Sequence, residues 1–304
     1  MWWFIVSAVA FFLLAIASVI DKFLLTKTKI VPVSFAFFIT FFAAIGGSLF
    51  IFFDKSFAFP QDFIWEMFLG GATYFFGLYF MFLAIERAEV SKASPIIVSL
   101  TPLSVFLLSF YLNLQLVSYA NILGVILVIV AGYLLSQTGA KTTRLDRLTW
   151  LFIVLSSLAL GASNVYNKIG YDNFSFVTAF VWIRWFSAIV AIVYVTLIGK
   201  WSSIFLKNKS KNEEVKNKSA FGALVIGQVA GAIGVILMQV GIKLGNVILV
   251  TALNSLQFFF VIFLVYLLSK FYPKVLQEDV NKGLIIKKVF LSLLMGLGLV
   301  LVLF

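Results

Sequence analysis

Long apolar runs separated by short polar stretches make up the chain from end to end. Ten of these runs reach the roughly 20 residues that a helix needs to cross the hydrocarbon layer of a bilayer. They fall at residues 3–20, 32–53, 63–84, 93–112, 117–135, 150–166, 176–198, 220–242, 247–268 and 285–304. Because the runs are continuous rather than alternating, helices and not barrel strands would satisfy their backbone in lipid. The pattern predicts an all-α integral membrane protein with ten transmembrane helices.

The polar stretches between the runs are short, with one exception at residues 199–219. Its KNKSKNEEVKNK segment is too highly charged to be buried, and we predict a solvent loop there. The first apolar run has no basic segment before it and no clear cleavage site, so we expect it to stay in the mature protein.

Three segments of the first half recur in the same order in the second half. The pairs are LAIASVIDKF (14–23) with LALGASNVYNKI (158–169), VSFAFFITFFAAI (33–45) with VTAFVWIRWFSAI (177–189), and MFLAIERAEV (81–90) with MQVGIKLGNV (238–247). Such self-similarity indicates an internal duplication. Because five spans per copy is an odd number, the two copies would cross the membrane in opposite senses. We predict two inverted repeats of five helices, residues 1–138 and 139–304.

Composition and charge agree with a membrane location. The chain is 62% hydrophobic and 12% charged, with a mean hydropathy of +1.10. Of its lysines and arginines, 19 lie in connections after odd-numbered spans and 3 after even-numbered spans. The positive-inside rule then places the odd connections in the cytoplasm and both termini outside the cell (plasma or inner) membrane. The net charge of +11 is spread over short loops without a recognition motif, so we expect no nucleic-acid partner.

Several kinds of chemistry are excluded by residue type. The chain has no cysteine and no histidine, and all twelve acidic residues fall at span ends or in loops. No acid, base or metal site can be built at the centre of the membrane from what remains, so we expect no enzymatic activity, no metal and no cofactor. The absence of a phosphate-binding loop motif also excludes direct drive by ATP.

Arg184 is the strongest candidate for a functional residue, because it lies about nine residues into the seventh span. An arginine at such depth costs about 2.5–3.5 kcal/mol on insertion scales unless it faces water or a partner. It could bind a substrate carboxylate or phosphate, or lock helices in one access state. The alternative is structural: the side chain could extend toward the near interface or pair with backbone carbonyls.

Polar and aromatic residues in other spans complete the predicted substrate site. Besides Arg184, the set consists of Ser94, Asn164, Tyr166, Trp182, Gln228, Gln239, Thr251, Asn254 and Ser255. Hydroxyls and amides in membrane helices also join neighbouring helices, and for the hydroxyls this is the stronger interpretation. The repeated lysines Lys22 and Lys168 lie at span ends, where lysines commonly extend to the interface.

The chain resembles the EamA-type branch of the drug/metabolite transporter superfamily. The resemblance rests on GASN before a helix-ending lysine at 161–168, on Arg184 in the next span, on Pro102 in the fourth span, and on the glycine-bearing fifth span at 124–135. Three features depart from the family: Gln115 stands where a glutamate is frequent, Thr40 replaces an arginine, and the termini of the family are commonly cytoplasmic.

The resemblance implies a central pathway lined by spans one to four and six to nine. Spans five and ten would lie outside it as scaffold, or as homodimer surfaces through Gly124, Gly132, Gly296 and Gly298. The small multidrug-resistance relatives use a glutamate deep in their first helix, and this chain has none there. A proton-driven antiporter of that type is therefore disfavoured, with Glu66 as the fallback.

The leading hypothesis is a secondary transporter, either a uniporter or an exchanger and most simply an exporter. It would move a small polar or amphipathic metabolite, such as an amino acid or a nucleobase, by alternating access. Its partners would be that substrate and the lipid bilayer. A flippase for a lipid-linked sugar or phosphate remains an alternative, as does a membrane scaffold that transports nothing.

Overall fold

A computed structural model describes residues 2–25, 31–88, 90–112, 118–136, 145–205, 218–254, 256–257, 259–261, 263–264, 267 and 282–303. Within these ranges every regular element is helical, which confirms the predicted all-α class. The helices are α1 (Trp2–Leu25), α2 (Pro32–Ser48), α3 (Ile64–Arg87), α4 (Val90–Tyr111), α5 (Tyr119–Ser136), α6 (Arg147–Asn173), α7 (Phe176–Leu197), α8 (Trp201–Phe205), α9 (Lys218–Leu244), α10 (Val247–Ala252) and α11 (Lys282–Leu303).

Six stretches of this helical structure are long and apolar enough to cross a membrane. They are Trp2–Ile20, Pro32–Phe53, Gln61–Arg87, Arg147–Asn173, Phe176–Leu197 and Ile226–Leu244. Shorter apolar helical stretches lie in α4, α5 and α11. The chain is therefore a multi-pass membrane protein. The ninth predicted span is described only through α10 and scattered residues after it, so the number of ten helices stays a prediction.

Small residues let two helix pairs approach closely. On α3, a Cβ added to Gly77 would lie 2.8 Å from the side chain of Leu160 on α6. On α9, a Cβ added to Gly227 would lie 2.8 Å from Ile20, and one on Gly231 would lie 3.3 Å from Ala17, both on α1. Since lipid gives helices no hydrophobic reason to associate, such close packing is what holds them together.

Serine hydroxyls on α6 bond to neighbouring helices. Ser156 Oγ donates to the carbonyl oxygen of Gly77 and Ser163 Oγ to that of Gly70, each at 2.9 Å. Both acceptors belong to α3. These two hydroxyls therefore join helices, as the structural interpretation of membrane serines expects.

Helices α5 and α11 pack against each other. A Cβ on Gly298 would lie 2.8 Å from the carbonyl oxygen of Gly124 and 2.9 Å from Leu127, whereas one on Gly296 would have open space around it. Gly124 and Gly298 are thus used inside the chain, and Gly132 packs on Ser99 of α4. The homodimer stays a prediction, and of the four glycines named for it Gly296 alone faces open space.

Part of the predicted solvent loop at 199–219 is ordered against the bundle. Trp201 begins the short helix α8, and its ring meets that of Phe37 edge-on at 5.7 Å. Ile204 is buried beside the same surface. The apolar side chains of this segment explain the difference, since they can cover α2. Residues 206–217, with most of the charges, lie outside the described ranges.

Candidate functional site

Helix α7 carries Arg184 into the centre of the bundle. The side chain is 1% exposed. Its guanidinium carbon lies 4.0 Å from the ring centroid of Tyr74 on α3 and 5.1 Å from that of Phe180, one turn earlier on α7. Neither Nη1 nor Nη2 has a hydrogen-bond partner in the described part of the chain. The charge is therefore enclosed by rings rather than extended to the membrane surface.

A row of aromatic and polar residues links Arg184 to α6 and α9. The ring of Phe180 lies 5.4 Å from that of Phe176, which lies 5.2 Å from that of Tyr171 at the end of α6. The Tyr171 hydroxyl donates to Oε1 of Gln239 on α9, at 3.1 Å. We call these residues, from Gln239 through Tyr171, Phe176 and Phe180 to Arg184, the central row.

Two asparagines add buried polar atoms without partners. Asn167 is 1% exposed, and neither its Oδ1 nor its Nδ2 is hydrogen-bonded. It precedes Tyr171 by four residues, so the two side chains share one face of α6. Oδ1 of Asn254 is also buried and unpaired. Buried amides are normally satisfied, and those that are not commonly belong to a functional site.

Asn254 lies where the ninth predicted span is interrupted. Helix α10 ends at Ala252. The backbone hydrogen bonds that follow span three residues rather than the four of an α-helix: Asn254 N donates to the Thr251 carbonyl (3.3 Å), and Gln257 N donates to the Asn254 carbonyl (3.0 Å). Interrupted helices in transporters typically mark substrate or ion sites, because they release backbone groups.

The structure brings some of the predicted site residues together and separates others. Arg184 and Gln239 belong to the central row. Thr251 is buried, but its hydroxyl bonds to carbonyls of its own helix, at 2.8 and 3.0 Å. Trp182 donates Nε1 to the Ala58 carbonyl (3.0 Å), in the connection before α3. Ser94, Asn164 and Tyr166 are half-buried, Gln228 is exposed, and Ser255 lies outside the described residues.

Sequence reasoning did not include Tyr171, Asn167 or Tyr74 in the site. Tyrosines near span ends are usually interface anchors, so the type of residue gave no signal for Tyr171. The spacing of Asn167 and Tyr171 on one helical face was the available clue.

The first-repeat equivalent of Arg184 carries no charge. Thr40 is buried, and its hydroxyl bonds to the carbonyls of Ala36 and Phe37 on its own helix, at 2.9 and 3.0 Å. The cation at the centre of the bundle therefore comes from the second half of the chain. Gln115, the other departure from the family pattern, lies outside the described residues.

Two lysines tie the ends of α6 and α9 together. Lys168 donates to the carbonyl of Lys243 (3.3 Å) and pairs with Asp172 (2.8 Å). Lys243 in turn donates to the carbonyls of Tyr171 (3.4 Å) and Phe174 (3.2 Å). Cations at helix C-termini complement the partial negative charge there. Lys168 thus has a structural role, while the side chain of Lys22 lies outside the described set.

Hydrogen bonds join the connection after α2 to the start of α7, on the same side of the bundle as these two lysines. Oδ2 of Asp54 accepts from the Ser175 hydroxyl at 2.5 Å, and Oδ1 accepts from the Ser56 amide at 2.9 Å. These hydrogen bonds, that of Ser175 first, hold the pKa of Asp54 below its usual value, because they stabilise the carboxylate. We call Asp54, Ser56 and Ser175 the α7 clasp.

The comparisons with known proteins agree with this arrangement. Several apolar helices of membrane length around a buried polar row are the features of a multi-pass membrane transporter. The model of the EamA-like transporter family matches residues 1–137. The predicted resemblance to this family, which is part of the drug/metabolite transporter superfamily, is confirmed over residues 1–137. It is a transporter family and not an enzyme family, which is consistent with the prediction that the protein is not an enzyme.

One solved crystal structure shares the fold over nearly the whole chain. The two proteins are 15% identical, with a TM-score of 0.64, and the match covers 98% of this chain and 94% of the other. At this level of identity the likeness concerns the fold alone. A search of curated proteins finds no match.

Proposed function

We propose that the protein is a secondary transporter, a uniporter or exchanger working as an exporter, that moves a small polar or amphipathic metabolite by alternating access. The observation that carries the proposal is the buried guanidinium of Arg184, which has no hydrogen-bond partner for Nη1 or Nη2. Amino acids and nucleobases are substrates of suitable size and polarity. Asn167, Asn254 and Gln239 would supply further hydrogen bonds.

The unpaired charge of Arg184 is energetically costly. A buried ion without a partner costs several kcal/mol even after the surroundings relax. A scaffold gains nothing from this cost, because an apolar side chain would pack in the same place at lower free energy. A transporter gains from it, because the substrate supplies the missing partner when it binds.

Helix packing supports the two inverted repeats of five helices. In the predicted duplication, α1 corresponds to α6 and α9 to α3. Helix α1 packs on α9 and helix α3 packs on α6, so these two interfaces correspond to each other under the predicted repeat symmetry. Helix α2 packs on its own counterpart α7, and the fifth-span helix α5 packs on α11.

Other interfaces break this symmetry, among them that of α3 with α7. Helices α3 and α7 pack closely, and a Cβ on Gly71 would lie 2.6 Å from the Ile183 carbonyl. The equivalent helices of the other repeat, α9 and α2, share no comparable interface in their described parts. In inverted-repeat transporters such an asymmetry distinguishes two access states. The proposed second state would break the α3–α7 interface and form one between α2 and α9, while the symmetric pairs move as units.

The position of the acidic residues favours uniport or exchange over proton coupling. All twelve acidic residues occupy span ends or loops. Proton-coupled transporters instead place titratable groups inside the membrane. The cell membrane as location, and the external termini, rest on the lysine and arginine bias of the connections.

Transport by purified protein in liposomes tests the proposal. Vesicles loaded with unlabelled amino acids, nucleobases, sugar phosphates or polyprenyl phosphates would be assayed for counterflow of the labelled compound. We expect counterflow of one class of small metabolite and its loss in Arg184→Met. The matched control is Arg87→Met, which removes an exposed arginine that pairs with Asp146. Movement of the polyprenyl phosphate alone would instead establish the flippase, and no movement of any compound would contradict transport.

A further inference from the structure

The charge balance around Arg184 restricts the class of substrate further than the polarity of the site does. Among the residues whose side-chain burial the structure describes, Arg184 is the one charged residue that is buried. No buried carboxylate neutralises it there. Lys168 and Lys243 lie at the helix ends and are already bonded to carbonyls, with Asp172 as a further partner of Lys168. The site therefore carries one unbalanced positive charge.

The neighbours of Arg184 in the described part of the chain are aromatic rings and a glycine rather than hydrogen-bond acceptors for Nη1 and Nη2. The Tyr74 ring lies 4.0 Å from its central carbon, and the Phe180 ring lies 5.1 Å away. Gly47 of α2 comes near the aliphatic stem, since a Cβ there would lie 4.0 Å from Cγ of Arg184. Aromatic faces attract the cation but accept no strong hydrogen bond from it. The Nη1 and Nη2 groups, both without partners, remain for a ligand.

Resting on the proposed function, we propose that the transported substrate is a monoanionic carboxylate held by Arg184. Two carboxylate oxygens in one plane match two guanidinium N–H groups in a bidentate pair. One negative charge would neutralise the site. A phosphate monoester carries about −1.5 to −2 charges at neutral pH and would leave an excess with no second buried cation to balance it.

Asn167 provides for a second polar group on the same substrate. Its amide donor and acceptor are both unpaired, and it shares a helical face with Tyr171, which the rings of Phe176 and Phe180 connect to Arg184 in the central row. A hydroxy acid offers both a carboxylate and a second hydrogen-bonding group at a net charge of −1, whereas a zwitterionic amino acid would add an ammonium group that no buried carboxylate balances. Because the Asn167 side chain is uncharged, it leaves the charge balance of the site unchanged.

Matched pairs of probes test the assignment. Binding to the purified full-length protein would be measured by calorimetry and by the shift in melting temperature, for L-lactate against L-lactamide and for benzoate against benzamide. Phenyl phosphate and chloride form two further arms. Each pair keeps the body of the molecule and removes the carboxylate charge. We expect the acids to bind and to raise the melting temperature, and their amides to bind roughly 10- to 100-fold more weakly.

The variants separate a binding role of Arg184 from a structural one. Arg184→Met keeps the length of the side chain without the charge, so it is expected to melt at or above the temperature of the unliganded wild type and to lose the response to carboxylates. Arg87→Met, the surface control, should keep that response. Carboxylate binding that persists in Arg184→Met would overturn the assignment, as would stronger binding of phenyl phosphate or an equal response to chloride.

Failure of this inference can be told from failure of the proposed function. If liposomes exchange an uncharged nucleobase while carboxylates neither bind nor compete, the carboxylate assignment is wrong and transport stands. If carboxylates bind through Arg184 but no compound crosses the membrane, the binding site stands and transport is wrong.

Discussion

Arg184 is surrounded by rings on two sides, and Tyr74 makes the closer of the two contacts, at 4.0 Å. Since Tyr74 belongs to α3 and Arg184 to α7, this contact joins the two helices whose interface breaks the repeat symmetry. The strength of a cation–π contact depends on how far water is excluded, and here the cation is 1% exposed.

Replacing Tyr74 by leucine should destabilise the protein by about 0.5–2 kcal/mol through loss of the cation–π contact. Tyr74→Phe keeps an aromatic face and serves as the control, because the phenol oxygen takes no part in the contact. The measurement is the free energy of unfolding in detergent. Equal stability of the leucine and phenylalanine variants would show that the ring face does not stabilise the guanidinium.

The α7 clasp should weaken in acid. The pKa of Asp54 is lowered in the folded protein by hydrogen bonds from Ser175 and Ser56. A lowered pKa gives stabilisation that is present above the unfolded-state value, about 3.9, and is lost as pH falls through the folded-state value. We expect the melting temperature of the wild type to fall over this acid window and that of Asp54→Asn to change less.

The control for this titration is Asp62→Asn, which removes an exposed carboxylate from the same connection. It should keep the acid sensitivity of the wild type. A pH profile of Asp54→Asn that is indistinguishable from the wild type would mean that the clasp does not stabilise the fold.

Helix α3 depends on glycine where it crosses α7. A Cβ on Gly71 would lie 2.6 Å from the Ile183 carbonyl and 2.7 Å from the Ser187 amide, both backbone atoms that cannot move alone. Gly46 on α2 has nothing within 4 Å of the same position. The two glycines therefore form a matched pair for testing the packing.

Gly71→Ala should cost about 1–3 kcal/mol by overpacking. Gly46→Ala should be neutral or stabilising by up to about 1 kcal/mol, because alanine favours the helix. Thermal or chemical unfolding of the two variants under the same conditions provides the comparison. If Gly71→Ala proved as stable as Gly46→Ala, the close α3–α7 contact would be contradicted.

The helices themselves were largely predictable from apolar runs, and their ends were not. The sixth span was predicted at 150–166, but α6 runs from Arg147 to Asn173. Its polar end stays helical because Lys168 pairs with Asp172 one turn on, and Lys243 of α9 bonds to the carbonyls of Tyr171 and Phe174. The first contact was within reach of sequence reasoning, whereas the second depends on which helix packs beside α6.

The candidate site, like the helices, was predictable from the sequence only in part. Depth in a span singled out Arg184, because few membrane helices tolerate a cation there. Its neighbours Tyr74 and Phe180, and the hydrogen bond between Tyr171 and Gln239, follow from the packing of four different helices. A pattern along one helix carries no information about such contacts. The short helix at Trp201 escaped prediction because the surrounding segment is so strongly charged.

At the scale of the whole molecule, orientation rests on the lysine and arginine bias. Because the chain has no cysteine, single introduced thiols can be labelled without background. In intact cells, Lys55→Cys should react with a membrane-impermeant maleimide, and Lys211→Cys should react only after permeabilisation. The reverse pattern would place both termini in the cytoplasm.

Alternating access makes a prediction about which helix contacts must break. Tyr79 of α3 and Tyr194 of α7 lie with ring centroids 5.3 Å apart at the asymmetric interface. Arg87 of α3 lies 3.0 Å from Asp146 at the start of α6. The α3–α6 pair is one of the two helix pairs that the repeat symmetry relates, so this contact should persist in both access states. Covalent links at the two places should therefore affect transport differently.

Transport by two double-cysteine variants before and after cross-linking tests alternating access directly. In Tyr79→Cys/Tyr194→Cys, a thiol cross-linker should stop counterflow, and a cleavable linker should restore it on reduction. In Arg87→Cys/Asp146→Cys, the same treatment should leave most counterflow intact. Full transport by protein fixed across α3 and α7 would contradict alternating access between the two repeats.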